Sequence, residues 1–61
     1  MPIVKIDIAE GRTIEQKRKL IAKVTEAFTS SFNVLPENVS IIINEFKPEN
    51  YGKSGKLKID K

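Results

Sequence analysis

Apolar and polar residues alternate from Val4 to Ile8 near the start of the chain. The aliphatic side chains of one face are Val4, Ile6 and Ile8. Lys5 and Asp7 fall on the opposite face. This period of two residues predicts a half-buried β-strand over residues 2–9. Gly11 follows the segment and permits the chain to turn there.

After this turn, the spacing between apolar residues changes to three or four positions. The residues of this stripe are Ile14, Leu20, Ile21, Val24, Ala27, Phe28 and Phe32. Thr13 and Gln16 have the separation of a capping box, in which each side chain accepts a hydrogen bond from the other residue's backbone. Asn33 can adopt the left-handed conformation that ends a helix, and Pro36 prevents the helix from resuming. We therefore predict an amphipathic helix over residues 13–32.

A second apolar segment, residues 39–46, contains three consecutive isoleucines and predicts a strand with apolar side chains on both faces. A strand, a helix and a second strand within this length form one β-α-β unit with parallel strands and a right-handed crossover. In the tail, Leu57 and Ile59 alternate with lysines after several turn residues, which predicts a short hairpin or edge strand. The predicted fold is α+β, in a single domain covering residues 1–61.

One helix covers only one face of a two-stranded sheet, and the second face also carries apolar side chains, among them Ile3 and Ile42. A chain of 61 residues is marginally stable alone, and small domains compensate with disulfides, metals or oligomerisation. The absence of cysteine and histidine excludes disulfides, zinc clusters and catalytic pairs that contain either residue. We therefore predict that protomers assemble and bury the second sheet face.

The net charge of the chain is compatible with several classes of binding partner. Eleven basic residues against eight acidic ones give a net charge of +3, which fits an anionic small molecule, weak nucleic-acid attraction or solubility alone. Aromatic residues are not interleaved with the basic residues on the predicted strands, so nucleic acid is not favoured. We find no signal peptide and no segment of membrane-spanning length, and we expect a cytoplasmic protein without a membrane partner.

Pro2 directly follows the initiator methionine and has two interpretations. Proline is tolerated at the first residue of a strand, where no ladder donor is needed. If Met1 is removed, however, the nitrogen of Pro2 becomes a free secondary amine that can act as a general base. Amino-terminal groups titrate at about 7.7–8.0 in model compounds, close to the pH at which a base works best. This stretch alone does not decide between the two interpretations.

The opening PIVKIDIAEGRTIEQKRKLI resembles the 4-oxalocrotonate tautomerase family, whose members begin with proline after methionine is removed. The family segment Gly-Arg-Ser/Thr-x-Glu-Gln-Lys is present at residues 11–17. The end of the second strand, Asn44-Glu45, and the tail segment over residues 51–55 are also similar. The resemblance covers essentially the whole chain.

The resemblance implies a tautomerase that moves a proton between oxygen and carbon in an unsaturated 2-hydroxy or 2-oxo acid, without a metal or organic cofactor. It implies Pro2 as the general base, Arg12 as the ligand of the substrate carboxylate, and Tyr51 as part of an apolar pocket. Phe46 is expected to serve packing. The implied assembly is a homohexamer built as a trimer of dimers.

Ser40 departs from the family pattern, because members that act on dicarboxylates carry a second arginine there. Serine donates a hydrogen bond but supplies no positive charge, so the substrate is either a monoacid or a diacid bound by another cation, such as Lys5 or Lys47. Pro2 and Arg12 flank a strand roughly 20 Å long, so we expect one site to take them from different subunits.

Two further functions remain open alongside the tautomerase. One is a non-enzymatic, basic and oligomeric binding module. The other is hydration or dehalogenation of a 3-halo acrylic acid within the same family, for which Glu45 or Asn44 is a candidate to activate water.

Overall fold

A computed structural model describes residues 1–60, which form one helix and four strands. The elements in chain order are β1 (Ile3–Ala9), α1 (Ile14–Phe32), β2 (Ser40–Phe46), β3 (Gly52–Lys53) and β4 (Lys56–Leu57). Short 3-10 turns occupy Pro36–Asn38, Pro48–Asn50 and Lys58–Asp60. The predicted α+β class is confirmed, while Lys61, the last residue of the predicted domain, lies outside the described residues.

Strands β1 and β2 pair in parallel, from Ile3 opposite Ser40 to Ala9 opposite Phe46. Helix α1 connects them, so the predicted β-α-β unit is confirmed. The half-buried aliphatic residues on one face of the sheet are Val4, Ile6, Ile8, Ile41 and Ile43. Their alternation with exposed residues on β1 matches the period of two seen in the sequence.

The predicted caps of α1 are both present. Thr13 is the N-cap; its side chain accepts from the backbone N–H of Gln16 at 3.1 Å, and Gln16 Oε1 accepts from the Thr13 N–H at 2.9 Å. Asn33 has φ 55° and ψ 40°, and its N–H donates to the carbonyl of Thr29 at 3.1 Å. These bonds satisfy backbone groups that helix ends otherwise leave unpaired.

The tail forms the predicted hairpin, in which Gly52 pairs with Leu57 and Lys53 with Lys56. Ser54 and Gly55 have φ values of 54° and 81°, the left-handed conformation required by a tight hairpin turn. The strand does not extend to Ile59, although Leu57 and Ile59 alternate with lysines in the sequence. Instead, the Lys58 N–H donates to the Tyr51 carbonyl at 2.8 Å, and Lys58–Asp60 forms a 3-10 turn.

The single chain is extended and encloses no core of its own. Its radius of gyration is 14.8 Å, whereas a compact chain of this length has about 10.5 Å. It exposes 5088 Å², against about 4,000 Å² for a folded monomer of this mass. Within residues 1–60 no side chain is buried, and on the sheet face away from α1 Ile3 and Ile42 are 63% and 47% exposed.

Within residues 1–60, no helix is both long enough and apolar enough to span a membrane.

Candidate active site

Pro2 and Ser40 lie together at the amino ends of the two parallel strands. The Pro2 carbonyl accepts a hydrogen bond from the Ser40 N–H at 3.0 Å, and both residues are half-buried. Met1 is 87% exposed. While Met1 is attached, the Pro2 nitrogen is an amide and has no basic lone pair.

Arg12 lies in the loop between β1 and α1, immediately before the N-cap of the helix. It lines a concavity of about 270 Å³ together with Ile8, Gln16, Lys17 and Leu20. The second cation in this concavity, Lys17, is paired with Glu45 at 2.7 Å. Arg12 forms no ion pair with any other residue in the described range 1–60. Its guanidinium is therefore the cation of this concavity that can bind an external anion.

Tyr51 lines a second concavity, of about 260 Å³, between the sheet and the tail. Its other lining residues are Ala9, Phe46, Pro48 and Lys58. The rings of Tyr51 and Phe46 are 5.5 Å apart at an interplanar angle of 34°. Phe46, expected only to serve packing, thus also forms part of the wall. The concavity is lined by two aromatic rings and one charged side chain.

Both concavities lie at the end of the sheet opposite to Pro2. Ala9 is the last residue of β1 and pairs with Phe46, and the next N–H, that of Glu10, donates to the Phe46 carbonyl at 2.9 Å. Pro2 and Ser40 lie at the start of the same seven-residue strands, roughly 20 Å away. One chain therefore places Pro2 beside Ser40 and keeps both apart from Arg12 and Tyr51, which line separate concavities.

Two features of this end of the molecule are absent from the sequence-based predictions. The first is the pairing of Lys17 with Glu45 of β2, whose side chains are only 25% and 31% exposed. The spacing contained a signal for this, because Lys17 lies three positions from both Ile14 and Leu20, on the apolar stripe. The second is the place of Lys58 beside Tyr51, which depends on the fold of the tail.

Over residues 1–60, no three acidic residues cluster in a way that could hold a metal ion.

The matching family model is described as Tautomerase enzyme, and it covers residues 2–61. This chain belongs to the tautomerase family. A probable tautomerase of Halalkalibacterium halodurans is 41% identical over 56 residues, which cover 92% of each chain. The family resemblance seen in the sequence is thereby confirmed.

Solved structures of tautomerase family members share the fold. YwhB, a homologue of 4-oxalocrotonate tautomerase, is 38% identical with a TM-score of 0.93 and 98% coverage of both chains. A heterohexameric 4-oxalocrotonate tautomerase from Chloroflexus aurantiacus is 30% identical, with a TM-score of 0.91 and coverage of 98% of this chain and 97% of its own. A structure from the study of trans-3-chloroacrylic acid dehalogenase activity is 32% identical, with a TM-score of 0.83 and coverage of 92% and 97%.

Proposed function

We propose that this protein catalyses keto–enol proton transfer in unsaturated 2-hydroxy and 2-oxo acids of the 4-oxalocrotonate type, with Pro2 as the general base after Met1 is removed. The observation that supports this most directly is the unpaired Arg12 beside the start of α1, in a chain of the tautomerase family. Guanidinium binds carboxylate through two parallel hydrogen bonds, and a helix start also favours an anion.

The proton transfer has two steps in this proposal. The Pro2 amine takes the proton of the enol hydroxyl, the oxygen's electron pair forms the carbonyl, and the conjugated double bonds shift along the chain. The distal carbon then takes the proton back from the Pro2 ammonium group. An amino-terminal nitrogen suits both steps, because its ordinary titration range near pH 8 leaves both forms accessible at neutral pH.

The other predicted residues hold the substrate in this proposal. Arg12 binds a carboxylate of the substrate and draws electron density along the conjugated system. Tyr51 and Phe46 cover the conjugated chain and exclude water, which strengthens the electrostatic interactions within the site. Ser40, beside Pro2, donates a hydrogen bond without adding charge.

Assembly completes this site, since Pro2 and Arg12 lie at opposite ends of one sheet. We propose a homohexamer, built as a trimer of dimers, in which Pro2 of one protomer meets Arg12 of another. The uncovered sheet face supports an assembly of this kind, because its apolar side chains gain stability only when a partner removes them from water.

The test begins with protein whose loss of Met1 is verified by intact mass spectrometry. Ketonisation of 2-hydroxymuconate and of phenylenolpyruvate is then followed by ultraviolet absorbance. Pro2→Ala should lower kcat/KM by about a hundredfold or more, since general base catalysis contributes that much. The absence of activity with every enol acid in correctly processed protein would overturn the tautomerase assignment. A parent protein that binds enol acids but turns none of them over, and whose binding is unchanged in Pro2→Ala, would favour the non-enzymatic binding module.

A second candidate function is hydration or dehalogenation of a 3-halo acrylic acid, favoured by the similarity to the structure from the dehalogenase study. In this chemistry a carboxylate activates water, and Glu45 is the candidate. Against this role, the Glu45 carboxylate already accepts a hydrogen bond from Lys17. Halide release from trans-3-chloroacrylate that is lost in Glu45→Gln would establish the second function, and its absence in the parent protein would exclude it.

A further inference from the structure

We propose that Lys58 binds an anionic group of the substrate in the Tyr51 concavity and thereby favours diacids over monoacids. This inference rests on the proposed function and names the substrate class of the same site. It assigns the missing second cation to the turn that follows the tail hairpin rather than to the position of Ser40.

The lining of the Tyr51 concavity suits an apolar ligand with one anionic group. Lys58 is its one charged residue among an alanine, a proline and two aromatic rings. Binding sites of this kind take a mostly apolar ligand and fix its orientation with a few polar contacts. A planar conjugated chain ending in a carboxylate has this chemistry. The apolar walls also strengthen the attraction between the ammonium and the carboxylate, because they lower the local dielectric.

Within the described residues, Lys58 has a fixed backbone and a free ammonium group. Its backbone N–H donates to the Tyr51 carbonyl at 2.8 Å, and it begins the turn Lys58–Asp60, so its backbone is held directly against Tyr51. Within residues 1–60, the Lys58 ammonium forms no ion pair. A lysine with a fixed backbone and a free ammonium loses less conformational entropy on binding than one on an unattached tail.

The cations weighed from the sequence are placed less well for this role. Lys5 lies opposite Ile42 on the sheet face away from α1, several residues before the Tyr51 concavity. Lys47 precedes Pro48 but does not line the concavity. Ser40 lies at the other end of the sheet. Lys58 is thus the cation that lines the concavity of both rings, whereas Lys53 and Lys56 line a separate concavity that contains Tyr51 but not Phe46.

Arg12 and Lys58 serve different ends of the substrate. Arg12 lies with Ile8 and Leu20 on the side of the sheet that faces α1, whereas Lys58 lies with Ala9 and Phe46 on the opposite side. One small substrate therefore contacts both cations only where two chains meet. This arrangement agrees with the proposed assembly of one site from several protomers.

The test compares a diacid and a monoacid on the same variants. In Lys58→Gln, KM for 2-hydroxymuconate should rise about tenfold or more, which is the contribution of a charge-assisted hydrogen bond, while kcat changes little. The constants for phenylenolpyruvate should not change, because its phenyl ring and not a carboxylate enters the concavity. Lys58→Arg should restore most of the affinity for the diacid.

Lys23→Gln is the control, because it removes the same charge at an exposed residue of α1, away from the tail. Equal effects of Lys58→Gln on both substrates, or equal effects of the two variants, would overturn the role of Lys58. If the processed parent protein turns over neither substrate, the proposed function fails. The role of Lys58 is then decided by calorimetry with adipate: weaker binding in Lys58→Gln alone supports it, and no binding by the parent protein overturns it.

Discussion

Lys17 Nζ lies 2.7 Å from Glu45 Oε1 and joins two residues that are 28 positions apart in the chain. Lys17 is in the first turns of α1 and Glu45 is near the carboxyl end of β2. The bond therefore holds the start of the helix against the end of the sheet, on either side of the loop that carries Arg12. It also neutralises the second cation of the Arg12 concavity.

This ion pair should contribute more to stability than an exposed pair. In a double-mutant cycle with Lys17→Met and Glu45→Gln, we expect a coupling energy of about 1 kcal/mol, the upper end for pairs that keep some solvent contact. The measurement is the free energy of unfolding in urea at a fixed protein concentration, because assembly shifts apparent stability.

The matched control is the pair between Arg18 and Glu15, which is largely exposed and lies within one turn of α1. Its coupling energy should be about 0.3–0.5 kcal/mol and should fall further in high salt. A coupling at Lys17–Glu45 no larger than at this control would show that the pair does not hold the helix to the sheet.

Local patterns were sufficient to predict the β-α-β unit and its helix caps. The period of two residues in the strands and of three to four in the helix follows from which side chains lie between the helix and the sheet. The capping box depends on two residues three positions apart. The position of Lys58 could not be predicted in this way. Its hairpin has only two residue pairs, so its direction depends on the hydrogen bond to Tyr51 and on ring contacts with Phe46.

The uncovered sheet face gives a prediction about assembly. Ile42→Lys places a cation directly opposite Lys5 on that face, and an ammonium buried without a partner is costly. The oligomer should dissociate to smaller species, down to the single chain of 6.9 kDa, as measured by light scattering after size-exclusion chromatography. Circular dichroism separates dissociation from unfolding.

The control is Ser30→Lys, which adds the same charge on the exposed side of α1 and should leave the mass of the oligomer unchanged. An unchanged mass in Ile42→Lys would contradict burial of this face.

The end of α1 gives a prediction about backbone conformation. Asn33 has φ 55°, a region that costs most side chains about 1–2 kcal/mol but is open to glycine. Asn33→Ala should therefore lower the free energy of unfolding by about 1 kcal/mol, whereas Asn33→Gly should leave it nearly unchanged, as measured by thermal or urea denaturation. Asn38→Ala, at another exposed asparagine whose φ is not positive, serves as control. Equal losses in Asn33→Ala and Asn33→Gly would mean that the side chain, and not the backbone conformation, determines the effect.

Arg12 gives a prediction about substrate binding that separates charge from geometry. Arg12→Gln removes the cation and should raise KM for any enol acid about tenfold or more, because the carboxylate loses a charge-assisted pair of hydrogen bonds. Arg12→Lys keeps the charge but cannot form the two parallel bonds, so its KM should lie between those of the parent protein and Arg12→Gln. Arg18→Gln is the control, since that guanidinium is paired with Glu15 and should not contribute to binding. Steady-state kinetics with phenylenolpyruvate measures all three variants, and a KM that is unchanged in Arg12→Gln would remove Arg12 from the substrate site.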